Sequence, residues 1–138
     1  RMGAGMEARD RIIVVTGAAS GIGRALARRF AREGAAAVVV ADLDADRAAT
    51  VAAEFGGTAL GVDVGDEADV ARLVAEVEAR FGRIDLFCSN AGILLLGGVE
   101  TPTADWERIW KVNVLAHVFA ARAVLPGMIA RGGGYLLN

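Results

Sequence analysis

Ile12-Ile13-Val14-Val15-Thr16-Gly17-Ala18-Ala19-Ser20-Gly21-Ile22-Gly23-Arg24-Ala25-Leu26-Ala27-Arg28-Arg29-Phe30 decides how the rest of the chain is read. The opening apolar run has the composition of a buried strand. Arg24 to Phe30 reads as a helix. Between them lies a glycine-rich turn spaced T-G-x-x-x-G-x-G, not the commoner G-x-G-x-x-G. A strand, a glycine turn and a helix N-terminus together make a site for a dinucleotide pyrophosphate. Glycines let the backbone approach the phosphates, and free N–H groups with the helix dipole favour their negative charge.

Outward from that stretch, short β-branched runs alternate with longer amphipathic segments, the pattern of βαβ units around a parallel sheet. Strands are predicted at residues 12–16, 37–42, 58–62, 84–89 and 135–138, and helices at 21–33, 45–55, 67–81 and 103–131. The third helix shows its period clearly: Val70, Leu73, Val74 and Val77 share one face, while Arg72, Glu76 and Arg80 point away. Gly34 and Gly82 stand at C-cap positions, and Pro126 should kink or shorten the fourth helix. The fold class is α/β, a Rossmann-like doubly wound parallel sheet of strand order 3-2-1-4-5. In that order the strand ending at Asn138 is left as an apolar edge that invites aggregation. We therefore expect the sequence to be the front half of something longer, truncated after its fifth strand.

The chain has 138 residues, of which 54% are hydrophobic, enough for one domain with a real core. Its formal net charge of -2 comes from mixed signs throughout, with no basic stripe, so nucleic acid is not an expected partner. Charges break the apolar stretches short of the roughly 20 residues a bilayer span needs, so no membrane partner is expected. One cysteine, Cys88, excludes an internal disulfide framework and fits a reducing compartment; with no secretory signal, the expected location is cytoplasmic. Residues 1–10 are read as disordered or left over from a tag, and residues 11–138 as the dinucleotide-binding domain. Abundant alanine and arginine beside a single lysine, Lys111, point to a GC-rich bacterial genome.

Several further residues carry chemistry. Asp42 ends the second strand about 20 residues beyond the glycine turn, where an acid can accept hydrogen bonds from both adenosine ribose hydroxyls. A carboxylate there repels the 2′-phosphate of NADP, and its neighbours Ala19, Ser20 and Leu43 are neutral, so NAD is preferred; Arg47 lies further along. A solvated strand-end acid is the competing reading. Asp63-Val64 follows the third strand, Ser89-Asn90-Ala91-Gly92 ends the fourth, and Asn113 interrupts an apolar helical stretch that also holds Trp106. An Asn there is unfavourable unless its amide is used.

These motifs, at these spacings, resemble the short-chain dehydrogenase/reductase family from about Arg11 to Asn138, roughly the first half of a member. The resemblance implies that Gly17, Ala19, Ser20, Gly21, Ile22 and Gly23 hold the pyrophosphate, and that Asp42 and Leu43 flank the adenosine ribose. It implies that Asp63 meets the adenine's exocyclic amine while Val64 packs on the ring. Asn90, Ala91 and Gly92 correspond to the family's N-N-A-G, whose small residues let ribose and nicotinamide pass close. Ser89 replaces the first Asn, a departure that bears on the sheet more than on the cofactor. Asn113 corresponds to the residue that shifts the helix's hydrogen bonding and holds a water on the proton-relay path, although a merely satisfied buried Asn has the same sequence signature.

Family members move a hydride between nicotinamide C4 and a secondary alcohol or ketone carbon, with a tyrosine as acid/base, a lysine lowering its pKa and a serine orienting the substrate. A phenol of pKa about 10 is a poor base near neutrality without such a cation. The only tyrosine here, Tyr135, follows the only lysine, Lys111, so no Y-x-x-x-K exists in the sequence and the catalytic Ser, Tyr and Lys are absent from it. The expectation is an NAD(H)-dependent oxidoreductase whose 138 residues alone bind cofactor without catalysis. The alternatives are a non-catalytic NAD-binding module acting as sensor or assembly partner, and an S-adenosylmethionine methyltransferase. No metal site is expected, because His117 is the only histidine; helix packing or a subunit contact suits it better. Cys88 reads as core. Leu94-Leu95-Leu96 hints at a nonpolar substrate, and the family implies a homodimer or homotetramer through the fourth helix, whose face carries Val114, Val118 and Ala121.

Overall fold

Strand β1 (Ile12–Thr16) is buried along its whole length and occupies the centre of a five-stranded parallel sheet. Around it lie β2 (Ala37–Asp42), β3 (Thr58–Gly61), β4 (Leu86–Cys88) and β5 (Tyr135–Leu137), in the order β3-β2-β1-β4-β5. The computed structural model describes residues 5–138. The register pairs Ile12 with Ala37, Ile13 with Leu86, Val39 with Thr58 and Leu86 with Tyr135. Side-chain alternation divides the apolar strands between two cores. Ile12, Val14, Val39 and Phe87 face one way, onto Val70, Leu73, Val74 and Val77 of α3 (Glu67–Phe81) and Ala116, Ala120 and Val124 of α5 (Ala116–Ala130). Ile13, Val15, Val38, Val40 and Cys88 face the other, onto Ala27 of α1 (Gly21–Arg32) and Ala48 and Val51 of α2 (Ala45–Ala53). Strands buried on both faces read as unbroken hydrophobic runs, which is why β1 and β2 were visible without alternation.

Three strands are shorter than the runs that announce them: β3 ends at Gly61, β4 spans only Leu86–Cys88 and β5 ends at Leu137. β4 begins at Leu86 and not at Ile84, because the Asp85 carboxylate accepts the Ile12 N–H at 2.8 Å where a backbone carbonyl would otherwise act. Arg83 and Arg11 neutralise that carboxylate at 3.0 and 3.8 Å. The predicted fourth helix, 103–131, consists of α4 (Thr103–Trp110), a π-helical turn (Lys111–Leu115) and α5, which runs through Pro126 to Ala130. Pro126 therefore does not shorten the helix; it is exposed, where the carbonyl left without a donor meets water. Taken together, Thr103–Ala130 is 28 residues and is long and apolar enough, by length and composition alone, to cross a membrane. Asn113, His117 and Arg122 interrupt that run without making it polar on average, so the expectation that every apolar stretch falls short does not hold for this helix. Here it lies against α3, with Arg122 bonded to Glu67 at 2.9 Å and Arg131 to Glu78 at 3.4 Å.

Residues 1–4 of the segment expected to be disordered or tag-derived lie outside the described residues. From residue 6 the remainder packs: Met6 and Ala8 lean on the α1–α2 core, and Asp10 N–H donates to Gly34 O at 3.0 Å. At the far edge, Tyr135 and Leu137 of β5 are about half exposed, at 49% and 47%.

Candidate nucleotide site

Parallel order brings the C-terminal ends of β1 to β4 to one side of the sheet, and a cleft of about 1060 Å³ opens there. Gly17, Ser20, Gly21, Ile22 and Gly23 form one wall, Asp42, Leu43, Asp63 and Val64 a second, and Asn90, Ala91 and Gly92 a third. Of the residues singled out by sequence for cofactor contact, only Ala19 does not line it; Ala19 is buried and acts through its N–H.

The first wall is shaped for an anion. The N-cap of α1, Ser20, makes no side-chain cap, and the first turn contains no acid. By contrast α2 is capped by Asp44 and α3 by Asp66. The α1 amides thus keep their capacity to bind a phosphate. Gly17 has φ +64, and a Cβ there would lie 2.7 Å from Ala91 Cα; one on Gly23 would lie 2.6 Å from Asn90 Nδ2. At Gly17 and Gly23 the turn is therefore pressed against the Asn90–Gly92 turn with no room for a methyl group.

Thr16, buried to 1% exposure, is the joint between these turns. Its hydroxyl oxygen accepts the N–H groups of Asn90 at 3.1 Å and Ala91 at 3.2 Å, and its O–H donates to Cys88 O at 3.3 Å. Asn90 Nδ2 donates to Thr16 O at 3.0 Å. Cys88 beneath them is core, as its sequence context suggested, and burial pushes its thiol pKa up to about 12. Ser89, where the family pattern has Asn, is also buried and donates its N–H to Leu137 O at 2.8 Å. Its hydroxyl lies 2.8 Å from His117 Nδ1, so the lone histidine ties α5 to the sheet.

On the second wall Asp42 Oδ2 accepts the Ala19 N–H at 3.0 Å and Oδ1 accepts the Asp44 N–H at 3.1 Å. These bonds use about half of the carboxylate's acceptor capacity, leaving lone pairs for two hydroxyls. Leu43, 72% exposed, and Ile22, 75% exposed, border the same cleft as apolar surfaces that a bound ligand can cover. Asp63 is exposed to the cleft, while Val64 is nine-tenths buried and supplies wall more than free surface.

Asn113 sits in the π-helical turn, where Ala116 N–H reaches back five residues to Lys111 O. Its amide is used twice on one residue: Oδ1 accepts the Ile93 N–H at 2.9 Å, and Nδ2 donates to Ile93 O at 2.8 Å. The side chain thereby anchors the chain leaving Gly92, as a neighbouring strand would. Five residues were missed by sequence reasoning on this side: Ala104, Glu107, Arg108, Lys111 and Val112 close the cleft from α4 and the π-helical turn. No local pattern distinguishes them from other helix residues, because their place over the cleft is set by tertiary packing. Thr16 was also missed as a contributor, although a hydroxyl at the end of a fully apolar strand was its signal. Among the described residues, no cluster of three His, Cys, Asp or Glu could hold a metal ion.

The fold defines a doubly wound α/β protein whose cleft opens at the topological switch point, where such sheets place their ligands. A family model described as "short chain dehydrogenase" matches residues 11–138, and the chain belongs to that family, which binds a nicotinamide cofactor. Sorbitol dehydrogenase of Cereibacter sphaeroides is 40% identical over 129 residues, covering 91% of this chain and 50% of that protein. A crystal structure described as ribose-5-phosphate isomerase from Brucella melitensis superposes with TM-score 0.88 and 37% identity, covering 96% of this chain and 52% of that one. A metagenomic short-chain oxidoreductase in complex with NADP superposes with TM-score 0.86 and 33% identity, covering 93% and 61% respectively. The chain spans about half the length of the curated relatives it matches. The methyltransferase reading receives no support from these likenesses.

Proposed function

We propose that these residues form the cofactor-binding portion of an NAD(H)-dependent oxidoreductase that moves a hydride between nicotinamide C4 and the carbinol or carbonyl carbon of a small alcohol or ketone. The observation that carries the reading is the uncapped, acid-free N-terminus of α1 facing a strand-end carboxylate across a glycine-lined cleft. The α1 amides hold the pyrophosphate, Asp42 holds the adenosine ribose, and Asp63 accepts the adenine amine. Asn90 to Gly92 give passage to the nicotinamide half, with Asn113 fixing the segment beyond.

NAD is chosen over NADP on this chain's own residues. The Asp42 carboxylate is pinned by Ala19 and Asp44, so it cannot turn away from a 2′-phosphate. Arg47 gives its backbone N–H to Asp44 at the start of α2. The NADP bound by the metagenomic relative belongs to that protein's site. Supply of hydride and its acceptance belong to the nicotinamide when bound. Within this sequence the residues bind and orient it, and no Y-x-x-x-K is present to move the substrate proton. The substrate class follows the dehydrogenase relatives. Leu94 and Leu96, 80% and 90% exposed, follow Ile93 of the cleft wall and offer apolar surface beyond it.

The test is to express the chain joined to its natural downstream sequence and assay NAD-linked oxidation of a panel of polyols and secondary alcohols. Reduction of NAD by at least one of them is expected, and the 138-residue chain alone should show none. NAD binding without turnover of any alcohol or ketone by the longer protein would favour the non-catalytic module instead.

A further inference from the structure

We propose that Asp69 and Arg72, on the first turns of α3, are positioning residues that set Asp63 for recognition of an adenine ring; this rests on the nucleotide-binding reading above. Asp69 Oδ2 accepts the backbone N–H of Asp63 at 2.7 Å. Arg72 clasps the other carboxylate oxygen, with Nε and Nη2 at 2.8 and 2.6 Å from Oδ1. The same Nη2 donates to Gly61 O at 2.8 Å, the last carbonyl of β3. On the opposite side Val62 N–H donates to Asp42 O at 2.9 Å. Three successive residues leaving β3 are thus held at their backbones, two of them by the Asp69–Arg72 pair.

This clamp aims a particular carboxylate. Asp63 Oδ1 is occupied by the Gly65 N–H at 2.9 Å, a local bond that fixes the side chain's rotation relative to its own backbone. Among the described residues Oδ2 takes no protein hydrogen bond, and Asp63 borders the cleft. With the backbone of Asp63 fixed by Asp69 and its side chain fixed by Gly65, Oδ2 is held as an open acceptor on a residue that lines the cleft. An exocyclic amine is a neutral donor that a fixed carboxylate accepts; an oxo group at the same ring position is repelled.

Helix capping does not account for Asp69. The free N–H groups of Ala68 and Asp69 are already taken by Asp66 Oδ1, at 2.9 and 3.2 Å. The Asp69 carboxylate is turned out of its own helix toward the strand end. The Asp63 N–H, followed by the Arg72 guanidinium, holds the Asp69 carboxyl below the usual carboxylate range, so the ionised form is the one in place at neutral pH. The pair is only partly buried, with side-chain exposures of 51% for Arg72 and 28% for Asp69. Exposed pairs contribute little to global stability, so the consequence of losing it is local.

The experiment compares affinities of the chain for NAD and for nicotinamide hypoxanthine dinucleotide, which carries an oxo group where adenine has its amine. A hydrogen bond to a charged group predicts a preference for NAD of roughly ten-fold or more in the unmodified chain. Asp69→Ala should erase most of that preference while leaving affinity for nicotinamide mononucleotide and the melting temperature nearly unchanged. Asp69→Asn, which keeps an acceptor for the Asp63 N–H, should restore part of it. In an Asp63→Asn background, Asp69→Ala should add nothing. An undiminished preference in Asp69→Ala, with Asp63→Asn losing it, overturns the positioning role and leaves the adenine site standing. Absence of any preference in the unmodified chain overturns the adenine assignment itself.

Discussion

At Gly23 a hydrogen atom stands where a methyl group would meet Asn90 Nδ2 at 2.6 Å and would clash with Gly17 O. Neither neighbour can retreat, because Asn90 Nδ2 is bonded to Thr16 O and Gly17 is wedged against Ala91. Gly23→Ala should therefore cost about 1–3 kcal/mol of stability, the range for overpacking a tight site. It should also abolish detectable NAD binding, with urea unfolding and calorimetry as the two readouts. Asp69 gives the residue-scale pH dependence. Its carboxyl is held below the ordinary range when folded, by the Asp63 N–H first and then by Arg72. A lowered folded-state pKa means that its stabilising contribution is complete above the unfolded-state value and is lost as the pH falls through the lowered one. Urea midpoints of the unmodified chain and Asp69→Ala should differ slightly at neutral pH and converge in acid. A gap that is constant with pH would deny the carboxylate's charge any part.

Among the elements, those that carry their own signal were legible and those that depend on partners were not. α3 matches its predicted span because Asp66 caps it, Gly82 closes it and its apolar residues recur with helical period. β1 and β2 match theirs because a central parallel strand is apolar on both faces. β4 starts two residues late because an aspartate side chain replaces a ladder carbonyl, a substitution visible only once Ile12 and Asp85 are neighbours. The π-helical turn is a similar case. Asn113 marked the helix as unusual, but its doubly bonded contact with Ile93 joins residues 20 apart in sequence. Nothing local specifies that pairing. Asn113→Leu should leave the sheet intact and release residues 93–98, seen as faster amide exchange confined to that segment. Unchanged exchange at Ile93 would contradict the anchoring role.

For the whole molecule the strand order and the placing of the cleft follow from the glycine turn and the βαβ alternation, since a parallel doubly wound sheet puts its ligand at the strand C-termini. What sequence could not show is which helix closes that cleft, because Arg108, Lys111 and Val112 reach it by packing alone. The surface also carries a pattern. Trp106, Trp110, Val114, Val118, Leu125 and Ile129 are all exposed along one long helix. A second copy of the chain laid against this stripe is the partner that the family resemblance implies. Sedimentation equilibrium should then show a dimer or tetramer that Trp110→Glu shifts toward monomer; a concentration-independent monomer would oppose it. Everything proposed for this chain rests on nucleotide binding in the cleft. Calorimetric titration of NAD and of NADP into the 138-residue chain, repeated with Asp42→Ala, tests it most directly. We predict saturable 1:1 binding of NAD in preference to NADP, with the preference lost in Asp42→Ala. No binding of either dinucleotide, or a preference for NADP in the unmodified chain, would contradict it.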